Sequence, residues 1–324
     1  MFPARGRDLS SCDRGENLED GRFAEFRVAA AKREGPLYQQ PTAPQIIGRV
    51  LDAGFDLFRR CLPKVYVLAA VASLMTAPLN LFLRYSLENS PPTFAFIPTF
   101  FSALIVIALL VMAVNGAIIA RIDSVARAAP LPIRASLAIG FRRLPATIVS
   151  TIAFAIGAVL LMIPGLIVVA ALFPSAAGLD AGGVLTIFLV VIVLMLGPVS
   201  VYAVWLVFAP SAVIIERFGP IRSLTYSATI VRGHWWRTAA LLTMLGILFI
   251  ALYALVGVVA GIVVAASPSV LVAGQMPWYF DFIVGPLVSS VAVPLMYSLL
   301  LSIYYDLKTR LEGGDLAARI AASA

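Results

Sequence analysis

The chain has 324 residues, a formal net charge of +7 and a mean hydropathy of +0.96, with 61% apolar and only 13% charged residues. Soluble domains hold nearer ~45–50% apolar and ~25% charged residues, so no water-soluble fold could hide this much apolar surface. In such a chain the basic balance points to anionic lipid headgroups on one leaflet, at roughly 1 kcal/mol per Lys or Arg near the surface, and not to nucleic acid as a partner.

Residues 1–45 mix charges of both signs (Arg5, Arg7, Asp8, Asp13, Arg14, Glu16, Glu19, Asp20) with Gly and Pro and offer almost no apolar periodicity, apart from a weakly helical patch at 23–33. They read as a disordered cytoplasmic tail, followed by a membrane domain over 46–324 that ends in a short cytoplasmic tail. From Ile46 the pattern changes. Ile47, Val50, Leu51, Gly54, Leu57, Phe58 and Cys61 recur at helical spacing, while Arg49, Asp52, Asp56, Arg59 and Arg60 share the other side. This predicts an amphipathic helix at the interface, with Asp56 and Arg60 placed for a weak i,i+4 ion pair.

Six stretches are apolar over the ~20 residues needed to cross a bilayer: 65–83, 94–120, 146–173, 184–214, 238–266 and 282–304. The first apolar run begins near Val65, too late for a cleavable signal, so the first span is expected to direct insertion. Pro164 in the third span and Pro294 in the sixth are expected to kink their helices without ending them. The fourth stretch is long enough to tilt, or to break near Gly197 and Pro198. Every Lys and Arg except Arg84 falls in the N-terminal tail, around the loops after the second and fourth spans, or in the C-terminal tail, and segments 174–183 and 267–281 contain none. The positive-inside tendency then favours an arrangement with both termini in the cytoplasm. Cys12 and Cys61 would lie on that reducing side, where no structural disulfide is expected.

The segments before the odd-numbered spans resemble one another. Phe58-Arg59-Arg60-Cys61-Leu62-Pro63 precedes the first and Phe141-Arg142-Arg143-Leu144-Pro145 the third. Val231-Arg232-Gly233-His234-Trp235-Trp236-Arg237 precedes the fifth, and Pro132-Ile133-Arg134 pairs with Pro220-Ile221-Arg222 upstream. A spacing on the order of 85 residues suggests a three-fold tandem repeat, each unit an interfacial helix and a transmembrane hairpin, related by an axis along the membrane normal. Independent basic loops before each hairpin give part of the same likeness. The fold class is therefore all-α: a polytopic transmembrane bundle of about six spans with amphipathic helices before spans 1, 3 and 5.

Two stretches carry a family resemblance. One runs from Ile214, Ile215, Glu216, Arg217, Phe218, Gly219 and Pro220 through Ser227 to Arg237; the other is Tyr304, Tyr305, Asp306, Leu307, Lys308, Thr309, Arg310, Leu311, Glu312, Gly313. Over about residues 46–316 the chain resembles the glycerophosphoryl diester phosphodiesterase membrane-domain family and related bacterial membrane proteins, departing from it at Tyr226 before Ser227. The resemblance implies a membrane domain, not the hydrolase activity of members fused to a catalytic domain.

Metal-dependent hydrolysis needs several converging His, Asp or Glu ligands, and the chain has one histidine. Neither a Gly-rich phosphate loop nor a serine-nucleophile signature occurs, so no catalysis and no cofactor are expected. The candidate contacts to lipid or to a membrane-protein partner are Arg142, Arg143, Arg232, His234, Trp235, Trp236 and Arg237, the aromatic residues as interfacial anchors. Glu216, Gly233, Tyr305, Asp306 and Arg310 form a candidate structural signature. In it Asp306 would hold Arg310 or Lys308 toward lipid phosphate, and Glu216 would pair with a basic residue in the following helix. Asn80, Asn115, Ser200, Tyr202, Thr243, Tyr253 and Tyr297 are expected to bond between helices, at roughly 0.6 kcal/mol each, and Gly257 with Gly261 to permit a close helix approach. The leading expectation is a non-enzymatic membrane protein contacting anionic lipid or a partner. The alternatives are a transporter or permease subunit and, third, a membrane-bound phosphodiesterase.

Overall fold

The computed structural model describes residues 45–89, 96–172, 181–266, 278–313 and 320, so the expected tail over 1–45 lies, but for Gln45, outside the described residues. These form α1 (Ile47–Asn89), α2 (Phe96–Ala126), α3 (Ile133–Leu172), α4 (Ala181–Leu206), α5 (Ala209–Ile215), α6 (Pro220–Val231), α7 (Trp235–Ala266) and α8 (Trp278–Leu311). No strand occurs among the described residues, and six of the segments are long and apolar enough to cross a membrane. A bilayer core offers no water to backbone amides, so a chain this apolar satisfies them within helices.

The expected interfacial segments take two forms. The first two run without a break into their spans: α1 continues through Pro63 and α3 through Pro145. The third is a separate helix, α6, which ends before a turn where Gly233 adopts φ +84°, a left-handed conformation that costs glycine little. The apolar face of the first segment packs on protein. Val50, Leu57 and Cys61 are buried in one stripe with Val65, Leu68 and Ala72. The Ser302 hydroxyl of α8 donates to the Val50 carbonyl at 2.6 Å, and Cys61 Sγ stands 3.2 Å from Ser298 Oγ. The polar face keeps the expected Asp56–Arg60 pair, at 3.0 Å.

Helix α4 runs through Gly197 and Pro198, and the fourth span breaks instead at Val207 and Phe208. Pro210, in the first turn of α5, has no N–H for the Leu206 carbonyl and its ring crowds that position. Ser227 of α6 bridges the interruption: its hydroxyl donates to the Trp205 carbonyl at 2.8 Å and accepts from the Phe208 amide at 3.2 Å. Pro164 and Pro294 lie inside continuous helices, as expected.

At the centre is the end of α8, where residues 301–307 are all buried, a full circumference of the helix. Helices α2 and α3 approach closely at Gly140, where a Cβ would press on the Ala113 carbonyl and the Ala117 nitrogen. Gly257 and Gly261, by contrast, have no neighbouring atom within 4 Å where a Cβ would sit. The Ser200 and Thr243 hydroxyls bond to carbonyls of their own helices, those of Gly197 and Ala239, and not between helices as expected. A hydroxyl with no close neighbour finds its partner one turn back along its own backbone.

Candidate functional site

Successive residues of a helix point about 100° apart, so three in a row reach three directions. At the end of α8 they reach four other parts of the chain. The Tyr304 hydroxyl donates to Glu216, just past α5, at 2.8 Å; the Tyr305 hydroxyl donates to Asp123 of α2 at 2.6 Å. Asp306, its side chain 1% exposed, accepts from Arg310 Nε one turn on and from Arg237 Nη2 of α7, both at 3.1 Å. Its other oxygen takes the Gln45 amide at 2.8 Å. The Gln45 carbonyl in turn accepts from Arg237 Nη2 and Arg310 Nη2. Lys308 reaches Glu216 at 2.6 Å, and Arg143 of α3 donates to the Arg217 carbonyl at 3.1 Å. These contacts bring the starts of α1, α3 and α7 and the ends of α2, α5 and α8 to one end of the bundle.

The charges are balanced in detail. Burial alone would raise the Glu216 carboxyl, but the hydrogen bonds from Lys308 and Tyr304 outweigh it and hold the group below the ordinary carboxylate value. Burial likewise opposes the Arg127 charge, and Asp123, 2.9 Å away, more than restores it. Asp306 faces two guanidiniums, both of which also donate to the Gln45 carbonyl, so this buried carboxylate is paired.

Of the signature residues, Glu216, Tyr305, Asp306 and Arg310 meet at this end, and Gly233 forms the turn that brings Arg237 to them. One expectation changes: Glu216 pairs with Lys308 of the last helix and not with a residue of the following one. Asp306 holds Arg310 as expected, through Nε at 3.1 Å. Arg237, expected at the surface, is spent on Asp306 because the α7 start abuts the hub. Arg142 and Arg232 are exposed, Arg143 and His234 half-buried, and Trp236 is 81% exposed with its ring against that of Trp235. The Trp235 Nε1 and the Arg121 Nε and Nη1 atoms are buried without a hydrogen-bond partner. The sequence reading missed Gln45, Asp123 and the Ser227 bridge. The Asp123–Arg127 spacing in an otherwise basic loop was the one visible sign.

No group of three or more His, Cys, Asp or Glu side chains that could hold a metal ion occurs among the described residues. The arrangement can tie helix ends together and present cations around them. Comparison with family models, curated proteins and solved structures gives no match.

Proposed function

We propose that the chain is a non-catalytic, multi-pass protein of the bacterial inner membrane whose charged end faces the cytoplasm and holds anionic lipid headgroups. The observation that carries this reading is the division among the cations at that end. Arg237, Lys308 and Arg310 are neutralised inside by Asp306 and Glu216, whereas Arg142 and Arg232 are exposed, with no ion pair to a carboxylate among the described residues. Trp236 stands beside them as a surface anchor suited to the headgroup level. Cations left free at this depth attract phosphate from the anionic leaflet. The resemblance of residues 304–313 to the phosphodiesterase membrane-domain family supports a membrane domain without hydrolase chemistry.

Arg142→Gln combined with Arg232→Gln should lower retention of phosphatidylglycerol in native mass spectrometry about tenfold or more, at roughly 1 kcal/mol per charge. Arg237 is left alone, because it also holds Asp306 and the variant would disturb the fold. Unchanged retention refutes the lipid reading, and tags near Asp180 and Arg222 found on one side of the membrane refute the topology.

A further inference from the structure

A cleft of about 230 Å³ opens at the interruption between α4 and α5, with Thr151 and Phe154 on one wall, Ala203, Leu206 and Pro210 on another, and Leu224 of α6 closing it. Its walls are apolar apart from two hydroxyls. One of these, Ser150 Oγ, lies 3.4 Å from Ser223 Oγ, one residue after Arg222. Arg222 sits 4.3 Å over the Phe218 ring, the next residue back is Arg217, and Arg143 donates to the Arg217 carbonyl. Arg143 and Ser150 lie two turns apart on one face of α3, and Arg217 and Arg222 flank the loop that Arg143 reaches. Seven residues of α3 separate Arg143 from Ser150, about 10 Å along the helix axis, which is the step from headgroup level to upper acyl chain.

The charge of this rim is uncompensated. Arg143, Arg217 and Arg222 make no ion pair with a carboxylate among the described residues, and the adjacent Glu216 is engaged by Lys308 and Tyr304. A soluble anion would have no use for an apolar slot at membrane depth, and a neutral lipid would have none for three cations. Resting on the lipid reading above, we propose that this surface is a discrete site for one anionic glycerophospholipid, its phosphate on Arg143, Arg217 and Arg222 and one acyl chain in the cleft beside the α4–α5 break. The site has a headgroup half and a chain half, and each is needed.

The test is native mass spectrometry of the full-length chain with added phosphatidylglycerol or phosphatidylcholine, each variant checked for an unchanged thermal midpoint. One phosphatidylglycerol per chain should survive collisional activation that strips the rest, and phosphatidylcholine should not replace it. Arg217→Gln with Arg222→Gln should cut that adduct about tenfold or more, at roughly 1 kcal/mol per charge. Filling the slot with Ala203→Phe should do the same, with Thr151→Trp as a second filling variant should the first not fold. Arg142→Gln with Arg232→Gln should lower general lipid loading and spare this adduct. The site is overturned if a filled cleft retains the adduct, if phosphatidylcholine is held equally, or if inorganic phosphate at millimolar concentration displaces it. Loss with Arg142 and Arg232 but not with the site variants would overturn the site and leave the broader reading standing; loss with neither would overturn both.

Discussion

Helices α7 and α8 are near twins in length, 32 and 34 residues, and opposites in packing. Helix α7 buries Thr238, Leu241 and Leu245 near its start, and beyond Leu245 its side chains are exposed or at most half-buried. Helix α8 buries Ser290, Ser298, Ser302 and Asp306 and lies enclosed over 301–307. The more apolar of the two is the less buried. In water that order would be reversed. Lipid tails are as apolar as leucine, so helices in a bilayer associate through close packing and polar contacts, and α8 buries three serines and a carboxylate where α7 buries one hydroxyl, that of Thr238.

That contrast can be broken most severely at Asp306. Asp306→Ala leaves Arg237 and Arg310 facing one carbonyl, and should cost about 3–5 kcal/mol, read as a collapse of the thermal midpoint in detergent; an unchanged midpoint would mean that the hub does not hold the ends together. Matched glycine substitutions sharpen the comparison. Gly140→Ala forces α2 and α3 apart and should cost about 1–3 kcal/mol, whereas Gly257→Ala on α7 meets nothing and should be neutral, or stabilising by up to ~1 kcal/mol from helix propensity. Equal effects at the two positions would contradict the packing described. The smallest effect is the titration of Glu216. Because its folded value lies below the ordinary 4.5, its contribution is full above that pH and is lost as pH falls through the folded value. The midpoint difference between the parent chain and Glu216→Gln should therefore hold steady from about pH 8 to 5 and shrink only in stronger acid; a difference already gone by about pH 6 would exclude the depressed value.

Much of this was legible in advance because bilayer physics leaves few choices. Six apolar stretches and the restriction of Lys and Arg to alternate loops led to the helical class and the even crossing number, and the Asp56–Arg60 spacing led to their ion pair. The signature residues of the two runs did converge. What stayed hidden depends on neighbours distant in sequence. The break at Phe208 is set by Pro210 but made tolerable by Ser227, which no local pattern links to it. Gly140 and Gly257 look alike in a sequence, and only the presence of a second helix separates them. Arg232 and Arg237 share one basic run, yet the left-handed turn at Gly233 and the start of α7 send the second to Asp306 and leave the first outside.

The hub lies at the far end of the chain, and this imposes an order on biosynthesis. Gln45 meets Asp306 across 261 positions, and Asp123 waits 182 positions for Tyr305. Until the ribosome has released residues 304–310, Asp123, Glu216 and Arg237 sit in the nascent protein without the partners that later neutralise or orient them. A translocon delivering these spans one hairpin at a time therefore hands over an unlocked intermediate, and the final helix acts as the keystone that converts it into a closed assembly.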